Sequence, residues 1–249
     1  MIRIIIYLMK LFIVLFCALF FSSCGFTMRT DGFFDNGITG SGNTKTESRT
    51  VTSPFEKIDV NQGITVIVEQ SDSTAITVEA DDNIISHIIT KIENGMLIIE
   101  SDNSFSASST PTVRVKMPII SGLYASSGSS IKSLNTLKTE DIKTTSSSGS
   151  SVEISVEADN IVAETSSGSS MQVSGKALKL SADSSSGSTL DAGSLSANDV
   201  TAKSSSGSST DVNPILSLNA KASSGSSVNY KKTPKSLTKE ESSGGSVSL

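Results

Sequence analysis

A short serine-glycine motif recurs along the second half of the chain and constrains its fold more than any other feature. Ser-Ser-Gly-Ser-Ser, or a one-residue variant of it, occurs seven times, and successive copies are 18 to 21 residues apart. A unit of about 20 residues is too small to bury its own apolar side chains, so such units must stack on one another. The sequence therefore predicts a parallel β-helix, or β-solenoid, of about seven coils of about 20 residues. The central glycines are Gly128, Gly149, Gly168, Gly187, Gly207, Gly225 and Gly244.

Two mostly apolar columns become visible when the copies are aligned on these glycines, and they predict the core. Residues four positions before and four positions after each glycine are polar instead, as the period of two in a strand requires. A disordered serine-rich linker is the alternative, but a linker does not keep apolar residues in register. The column seven residues before the glycines is Ser121, Ile142, Ile161, Leu180, Val200, Leu218 and Leu237, and the column three residues after them is Ile131, Val152, Met171, Leu190, Thr210, Val228 and Val247.

The serines of the motif lie between the two columns. By the alternation of a strand, the serine just before each glycine and the serine just after it are expected to point inward, where their hydroxyls need hydrogen-bond partners. Stacked coils lie about 4.8 Å apart, so only small side chains fit there. Glycine is expected at a bend with positive φ. In the last copy Lys239 and Glu241 take inward positions and Gly245 replaces a serine, which predicts a polar cap.

A β-rich opening segment is predicted ahead of the repeats, over residues 53–120, with the repeats occupying 121–249. Short β-branched runs begin at Phe55 and are separated by turn signals, of which Asn94-Gly95 predicts a hairpin. Helix signals are nearly absent. One segment, Asn83 to Ile92, has isoleucines at a helical spacing, and the same residues also suit a strand. The predicted fold class is therefore all-β.

The amino terminus has the pattern of an export signal. Arg3 and Lys10 flank an apolar run whose length suits a signal peptide and is short for a membrane span. Small residues then lead to Cys24, which resembles the lipobox at which bacterial lipoproteins are acylated and cleaved. We expect residues 1–23 to be a lipoprotein signal peptide, Cys24 to be lipidated, and residues 24–52 to form a flexible tether. An ordinary signal peptide with a chance cysteine is the alternative.

Composition excludes several classes of function. The net charge is -5 and no basic stripe occurs, so nucleic-acid binding is not expected. Both cysteines lie in the first 24 residues, which leaves none for a disulfide or a thiolate metal site in the domain. No phosphate loop, dinucleotide fingerprint or glycine-aspartate calcium repeat is present, so we expect no cofactor and no metal.

Residues for catalysis are sparse. A nucleophilic serine needs a base, and the single histidine, His87, lies in an isoleucine-rich segment away from the repeats. Asp81 and Asp82, followed by Asn83, are typical of a turn. Asp191 and Asp211 share an outward column, but a spacing in sequence does not establish the defined separation that acid-base chemistry requires. We expect no catalytic site.

The opening segment resembles a known family. Phe55-Glu56-Lys57-Ile58-Asp59-Val60-Asn61-Gln62-Gly63-Ile64-Thr65-Val66, then Val78-Glu79-Ala80-Asp81-Asp82-Asn83, then the serine-glycine repeats resemble the auto-transporter adhesin, head GIN domain family. The resemblance covers roughly residues 54 to 240. It implies a β-helical, exported protein of a kind found in Bacteroidetes-type bacteria, and it implies no binding residues.

These observations favour a non-enzymatic lipoprotein of the cell envelope, an adhesin or binding module that presents a rigid β-solenoid surface. Its expected partners are the membrane, through a lipid anchor at Cys24, and a glycan or protein ligand. The outer membrane is the expected location, with the domain facing the surface or the periplasm. Two alternatives stay open: a polysaccharide-active β-helical enzyme that uses outward Asp and Lys residues, and a structural or sensory lipoprotein of the periplasm.

Overall fold

The computed structural model describes residues 37–249, and over these residues the fold is all-β, as predicted. The predicted signal peptide, Cys24 and residues 25–36 of the expected tether lie outside the described residues. None of the helical structure within 37–249 is long and apolar enough to cross a membrane. The strands are β1 Ile38–Thr39, β2 Thr44–Arg49, β3 Lys57–Val60, β4 Thr65–Gln70, β5 Ala75–Asp81, β6 Ile88–Glu93, β7 Met96–Ser101, β8 Phe105–Ser106, β9 Thr112–Met117, β10 Gly122–Ala125, β11 Ser130–Ser133, β12 Leu137–Ser146, β13 Ser151–Thr165, β14 Ser170–Ser184, β15 Thr189–Ser204, β16 Ser209–Ala222, β17 Ser227–Tyr230, β18 Ser236–Glu241 and β19 Ser246–Ser248, with one 3₁₀ turn at Ile85–His87.

The repeats form a stack of parallel coils. Each strand from β12 to β16 pairs in parallel with the next, and residues one repeat apart are direct partners, such as Ile161 with Leu180 and Leu180 with Val200. Register shifts occur only at short irregular stretches within β14, β15 and β16. The predicted parallel β-solenoid of about seven coils is confirmed. Every coil therefore presents its side chains at the same places as its neighbours.

The two predicted apolar columns do form the core. Their members are buried throughout the middle of the stack, and Thr210 is buried among them with no exposed surface. Ser121 and Leu237, at the two ends of the first column, are partly exposed. Small residues complete the interior beside the turns, because the two strands that flank each tight turn converge there and leave little room for side chains. Those residues are Ala125, Ser146, Thr165, Ser184, Ser204 and Ala222.

The prediction for the serine just before each glycine was wrong. This serine is exposed in every coil, whereas the serine just after the glycine is buried in the first six coils. The period of two holds only within an extended strand. Two consecutive residues with left-handed backbone reverse the chain at this point, so inward and outward positions do not alternate through the turn.

The opening segment adds a coil that the repeat did not reveal. Gln62 and Gly63 have φ of 63° and 72°, like the residues of the serine-glycine turns. β3 and β4 flank them and pair in parallel with β10 and β11. On their other side β3 and β4 pair in parallel with β7 and β9. The stacking order therefore differs from the chain order, because β3 and β4 lie between coils formed later in the sequence.

Antiparallel strands cover this end of the stack. β2 pairs with β5, β5 with β9, and β6 with β7, all antiparallel. The hairpin predicted at Asn94-Gly95 is confirmed between β6 and β7. The segment from Asn83 to Ile92, which suited either a helix or a strand, forms the short 3₁₀ turn followed by β6. The solenoid thus begins under a mixed antiparallel cap.

The expected flexible tether over 24–52 requires correction in its second half. β1 pairs in parallel with β8, and β2 pairs with all but one residue of β5. A Cβ atom added at Gly37 would collide with the backbone of Ser104, so this stretch packs closely on the domain. The polar sequence of β2 suggested a tether because β2 lies at an exposed edge, where strand residues need no apolar pattern. Residues 24–36 lie outside the described residues.

Candidate functional site

Each serine-glycine motif makes the same tight turn. In the fourth motif Ser186 has φ of 53° and Gly187 has φ of 69°, and the N–H of Ser188 donates to the carbonyl of Ser185 at 3.2 Å. Two central residues with positive φ define a type I′ turn, the type that matches the twist of the strands it joins. Across the seven motifs the serine φ lies between 48° and 54° and the glycine φ between 69° and 76°. The predicted positive φ at glycine is confirmed.

The turns are bonded to one another along the stack. The N–H of Gly187 donates to the carbonyl of Ser206 in the next coil at 3.0 Å, and the N–H of Gly168 donates to the carbonyl of Ser186 at 3.1 Å. The same bond joins every consecutive pair of motifs, and Gly63 donates to Ser127 in the same way. One continuous hydrogen-bond ladder therefore runs through the turn tips and holds them rigidly in register.

Buried serines clamp each turn from inside. Ser208 Oγ accepts the N–H of Ser205 at 3.1 Å and lies 2.9 Å from the carbonyl oxygen of Ser184 in the preceding coil. Ser150 and Ser169 repeat this arrangement, with their hydroxyls 2.8 Å and 2.6 Å from carbonyls of the coil before. A hydroxyl on a one-carbon stem both fits the narrow interior and satisfies the backbone at the bend. This is why serine recurs just after the glycine.

The outer side of the turns carries three columns of hydroxyl groups, which we call the hydroxyl ridge. The column just before the glycines is exposed in all seven coils, and the other two are half-buried or exposed. Because the coils are in register, equivalent hydroxyls repeat about every 4.8 Å along the stack. The ridge consists of Ser126, Ser147, Ser166, Ser185, Ser205, Ser223 and Ser242; Ser127, Ser148, Ser167, Ser186, Ser206, Ser224 and Ser243; and Ser130, Ser151, Ser170, Thr189, Ser209, Ser227 and Ser246.

A shallow groove runs along each flank of the ridge. The groove on the side of the strands that follow the turns, which we call the axial groove, has a volume of about 270 Å³. The groove on the opposite flank has a volume of about 200 Å³ and includes Thr145, Glu164 and Asp183. The axial groove is lined by Lys132, Ser151, Val152, Glu153, Ser170, Met171, Gln172, Thr189 and Asp191.

Two ion pairs beside the ridge join neighbouring coils. Lys132 Nζ lies 2.9 Å from Glu153 Oε2, and Lys143 Nζ lies 2.9 Å from Glu164 Oε2. All four side chains are substantially exposed, so each pair stabilises the fold by about 0–1 kcal/mol. Their main effect is to neutralise these four charges, whereas Asp191 and Asp211 in the column of Glu153 form no such ion pair with any described residue.

A larger groove lies half a coil away from the turns along the chain. Its volume is about 540 Å³, and Ala158, Ala177, Leu178 and Ile215 contribute apolar surface to it. Leu178 is 51% exposed and Ile215 is 46% exposed. Glu157, Asp159 and Lys176 provide charges at the same groove, which is therefore amphipathic.

The residues considered for catalysis are dispersed. His87 lies in the cap, with its Nδ1 2.8 Å from Asp102 Oδ1. Asp191 and Asp211 are stacked partners in adjacent coils. Each has its own hydrogen bond: Asp191 Oδ1 accepts the N–H of Gly193 at 2.9 Å, and Asp211 Oδ1 accepts from Asn229 Nδ2 at 2.8 Å. The structure therefore brings the two aspartates together but keeps His87 away from them.

Asp81, Asp82 and Asn83 lie where the antiparallel cap meets β1 and β2. Asp81 is fully buried and its Oδ2 accepts the N–H of Ser108 at 2.9 Å. Asn83 Nδ2 donates to the carbonyl of Thr39 at 2.8 Å. Asn83 thus holds β1 on the domain, and Asp81 holds the loop after β8, the strand that pairs with β1. The sequence pattern of a turn did not indicate these roles.

The fold and the ridge together define a class of protein, a capped parallel β-solenoid that presents a repeated polar surface. Residues 54–234 match the family described as "Putative auto-transporter adhesin, head GIN domain". The match spans most of the chain, so the chain belongs to this family, as the resemblance of its opening segment and repeats indicated. No curated protein matches the chain.

Solved structures share the fold. A putative adhesin from Bacteroides fragilis has a TM-score of 0.80 at 21% identity, covering 85% of this chain and 99% of its own. A putative lipid binding protein from Parabacteroides distasonis has a TM-score of 0.70 at 18% identity, covering 85% of this chain and 98% of its own. A putative adhesin from Parabacteroides merdae has a TM-score of 0.69 at 19% identity, with coverage of 85% and 98%. Identities this low establish the fold alone.

Proposed function

We propose that the protein is a non-enzymatic binding module of the cell envelope, held on the outer membrane by acyl chains on Cys24, and that the hydroxyl ridge binds a glycan. The observation that carries this proposal is the ridge itself, three columns of hydroxyls repeated in register on a rigid ladder. Membership of an adhesin family supports a location at the cell envelope.

Binding fits this surface better than catalysis. A serine nucleophile needs a base within about 3 Å. The ionisable groups beside the ridge bond elsewhere instead, Lys132 to Glu153, Lys143 to Glu164 and Asp191 to the N–H of Gly193. The ridge is also convex and open to water, whereas catalytic electrostatics gain strength in a site that excludes water. A repeated open surface instead favours many equivalent weak contacts, which is the arrangement of a multivalent binder.

A glycan fits the chemistry of the ridge better than a protein partner does. Protein interfaces obtain most of their binding energy from buried Trp, Tyr and Arg side chains, and the ridge consists of serine, threonine and glycine. Hydroxyl groups act as donors and acceptors together, so they match the hydroxyls of sugars in either orientation.

The test uses the full-length chain expressed with its own export signal. Ser167→Ala, Ser186→Ala and Ser206→Ala, combined in one variant, remove three adjacent hydroxyls from the exposed central column of the ridge, which lies between the two grooves. The control combines Ser181→Ala and Thr201→Ala, on an outward column away from the turns. Binding of intact cells to beads that carry immobilised polysaccharides is measured. The detergent-solubilised chain is tested on the same beads in parallel, because beads cannot reach a domain that faces the periplasm.

We expect the ridge variant to lose at least about 10-fold in bead binding and the control to bind like the wild type. Equal binding by the two variants would contradict a role for the ridge. Release of soluble fragments from the polysaccharide would instead support the alternative of an enzyme. Protease treatment of intact cells then distinguishes a surface domain, which is cleaved, from a periplasmic one.

We propose acyl-chain binding as a second candidate function, because one feature favours it. The amphipathic groove beside Leu178 and Ile215 has a volume of about 540 Å³, within the range of small-ligand sites. A structural relative is named a putative lipid binding protein. The test measures a fluorescent fatty acid on the full-length Cys24→Ala chain. Leu178→Ser should weaken binding, and Leu134→Ser, at an exposed leucine outside the groove, should not.

A further inference from the structure

The axial groove repeats the same polar groups in consecutive coils. Ser151, Ser170 and Thr189 stack along one wall as direct partners in adjacent strands. Glu153, Gln172 and Asp191 stack in the same way along the other wall. Each coil therefore contributes one hydroxyl and one carboxylate or amide at an equivalent position, and the groove runs parallel to the axis of the solenoid.

We propose that the axial groove binds a linear, neutral oligosaccharide lying along the solenoid axis, with about one sugar unit for each coil. The proposal rests on the proposed function, because it identifies the glycan and its position beside the ridge. Coils repeat about every 4.8 Å, a spacing comparable to the length of one sugar in an extended β-linked chain. Successive sugars then meet equivalent side chains, so each sugar can form the same hydrogen bonds as the sugar before it.

The donors and acceptors of the groove suit sugar hydroxyls. The carboxylates of Glu153 and Asp191 accept hydrogen bonds, the amide of Gln172 both donates and accepts, and the wall hydroxyls do the same. Carboxylate hydrogen bonds are the stronger kind because the acceptor is charged. A neutral chain rich in hydroxyl donors therefore satisfies the groove throughout its length.

Charge selects against acidic chains. Lys132 pairs with Glu153 at one end of the groove. At the other end Asp191 lies near Lys231, because Asp191 Oδ1 and Lys231 Nζ are each 3.1 Å from the position of a Cβ atom at Gly193. Asp211 extends the same column into the next coil. A uronic acid or sulfated sugar at this end would face two carboxylates and one ammonium group, so the net charge there is negative and repels it.

Chain length should control affinity. No aromatic side chain lines the groove on which a sugar could stack, so binding depends on hydrogen bonds that replace bonds to water. Such a bond gains little on its own, so each sugar added within the groove should raise the affinity about 2- to 10-fold. The gain should stop when the sugar chain is longer than the groove.

In the experiment, the detergent-solubilised full-length chain is titrated with cello-oligosaccharides from the disaccharide to the hexasaccharide. Calorimetry measures the affinity for each length. Glucuronate-containing oligosaccharides of equal length test the charge rule. Gln172→Ala removes the central amide of the groove. Asn219→Ala, at an exposed amide on an outward column before the turns, is the matched control.

The expected result is affinity that rises with length and then levels off, weaker binding of the acidic series, and at least about a 5-fold loss in Gln172→Ala alone. Affinity independent of length, or tighter binding of the acidic series, would overturn the proposal. If Gln172→Ala binds normally while the ridge variant loses bead binding, the axial groove is wrong and the proposed function stands. If no polysaccharide or oligosaccharide binds and a protein ligand is captured through the ridge instead, both proposals fail.

Discussion

Glu241 Oε1 accepts a hydrogen bond from the backbone N–H of Val247 at 2.6 Å. The carbonyl of Val247 accepts a second hydrogen bond, from Lys239 Nζ at 2.9 Å. Lys239 Nζ also lies 4.8 Å from the centre of the Tyr230 ring. Lys239 and Glu241 occupy inward positions of the last coil, where the second to sixth coils have small residues. Their charged ends satisfy backbone groups that would otherwise face a further coil. The polar cap predicted from the sequence is thus realised by side chains of the final coil.

Loss of this cap should expose a sheet edge. In Lys239→Ala combined with Glu241→Ala, the unpaired backbone of the last coil becomes a template for another strand, so the protein should self-associate. We also expect a loss of about 1 kcal/mol in the free energy of unfolding. Glu240→Ala, which removes an outward glutamate paired with Lys221, is the control. Light scattering after gel filtration measures the mass. A double variant that stays as monomeric as the control would show that these two side chains do not protect the edge.

Two glycines of positive φ should differ sharply in their tolerance of a side chain. At Gly187 a Cβ atom meets nothing within 4 Å, so Gly187→Ala should cost only the left-handed backbone, about 1–2 kcal/mol. Gly187→Val should cost more because its side chain is β-branched. At Gly175, with φ of 117°, a Cβ atom would collide with the carbonyl oxygen of Val156. Gly175→Ala should therefore cost about 3 kcal/mol or more. Urea denaturation measures both, and equal losses would contradict the stacking geometry.

The buried serine of the turn should matter more than its exposed neighbour. Ser208→Ala removes the acceptor for the N–H of Ser205 and a contact with the coil before it, so we expect a loss of about 1–3 kcal/mol. Ser205→Ala changes a half-exposed ridge hydroxyl and should alter stability by less than about 0.5 kcal/mol. Thermal unfolding followed by circular dichroism compares the two variants. The reverse order would mean that the inward hydroxyls do not clamp the turns.

The repeated coils were predictable from the sequence because their apolar residues recur in register with the glycines. The coil at Gly63 was not predictable, because Gln62 stands where the motif has serine and because the residues of the cap separate Gly63 from the next motif in the sequence. Its signal was present in Gln62-Gly63, a pair of turn residues between two β-branched runs. The edge strand β2 escaped prediction because its residues are polar.

The ridge was predictable in composition but not in orientation. Strand alternation placed the serine before each glycine inward, and the type I′ turn reverses that assignment, since both of its central residues point away from the core. Interpreting Ser-Gly as the two central residues of a turn between strands would have predicted their outward orientation, just as Asn94-Gly95 predicted the hairpin. The axial groove could not be predicted, because it depends on how columns from three coils face one another.

The lipid anchor is testable by labelling. Cys24→Ala should abolish incorporation of a fatty-acid analogue and release the protein from the membrane fraction, since each buried methylene of an acyl chain contributes about 0.8 kcal/mol. Cys17→Ala is a matched control because Cys17 lies within the apolar run of the same segment. Persistent labelling of the Cys24 variant would favour an ordinary signal peptide and a chance cysteine.

Asp59 should make stability depend on pH. Burial, and secondly the negative charge of Glu100, raise the pKa of Asp59 above its ordinary value of 3.8. A carboxyl whose pKa is higher in the folded state favours folding at pH below its unfolded pKa, and this contribution disappears as pH rises through the folded pKa.

At neutral pH the folded protein therefore carries a penalty for the ionised Asp59. Asp59→Asn should raise the free energy of unfolding at pH 7, by less than about 1 kcal/mol because water screens this half-exposed group. The gain should vanish near pH 3, where the wild-type carboxyl is neutral in both states. Urea denaturation at both pH values measures the difference. Asp72→Asn, in an exposed loop, controls for the loss of one negative charge, and a gain in Asp59→Asn that is the same at both pH values would contradict the raised pKa.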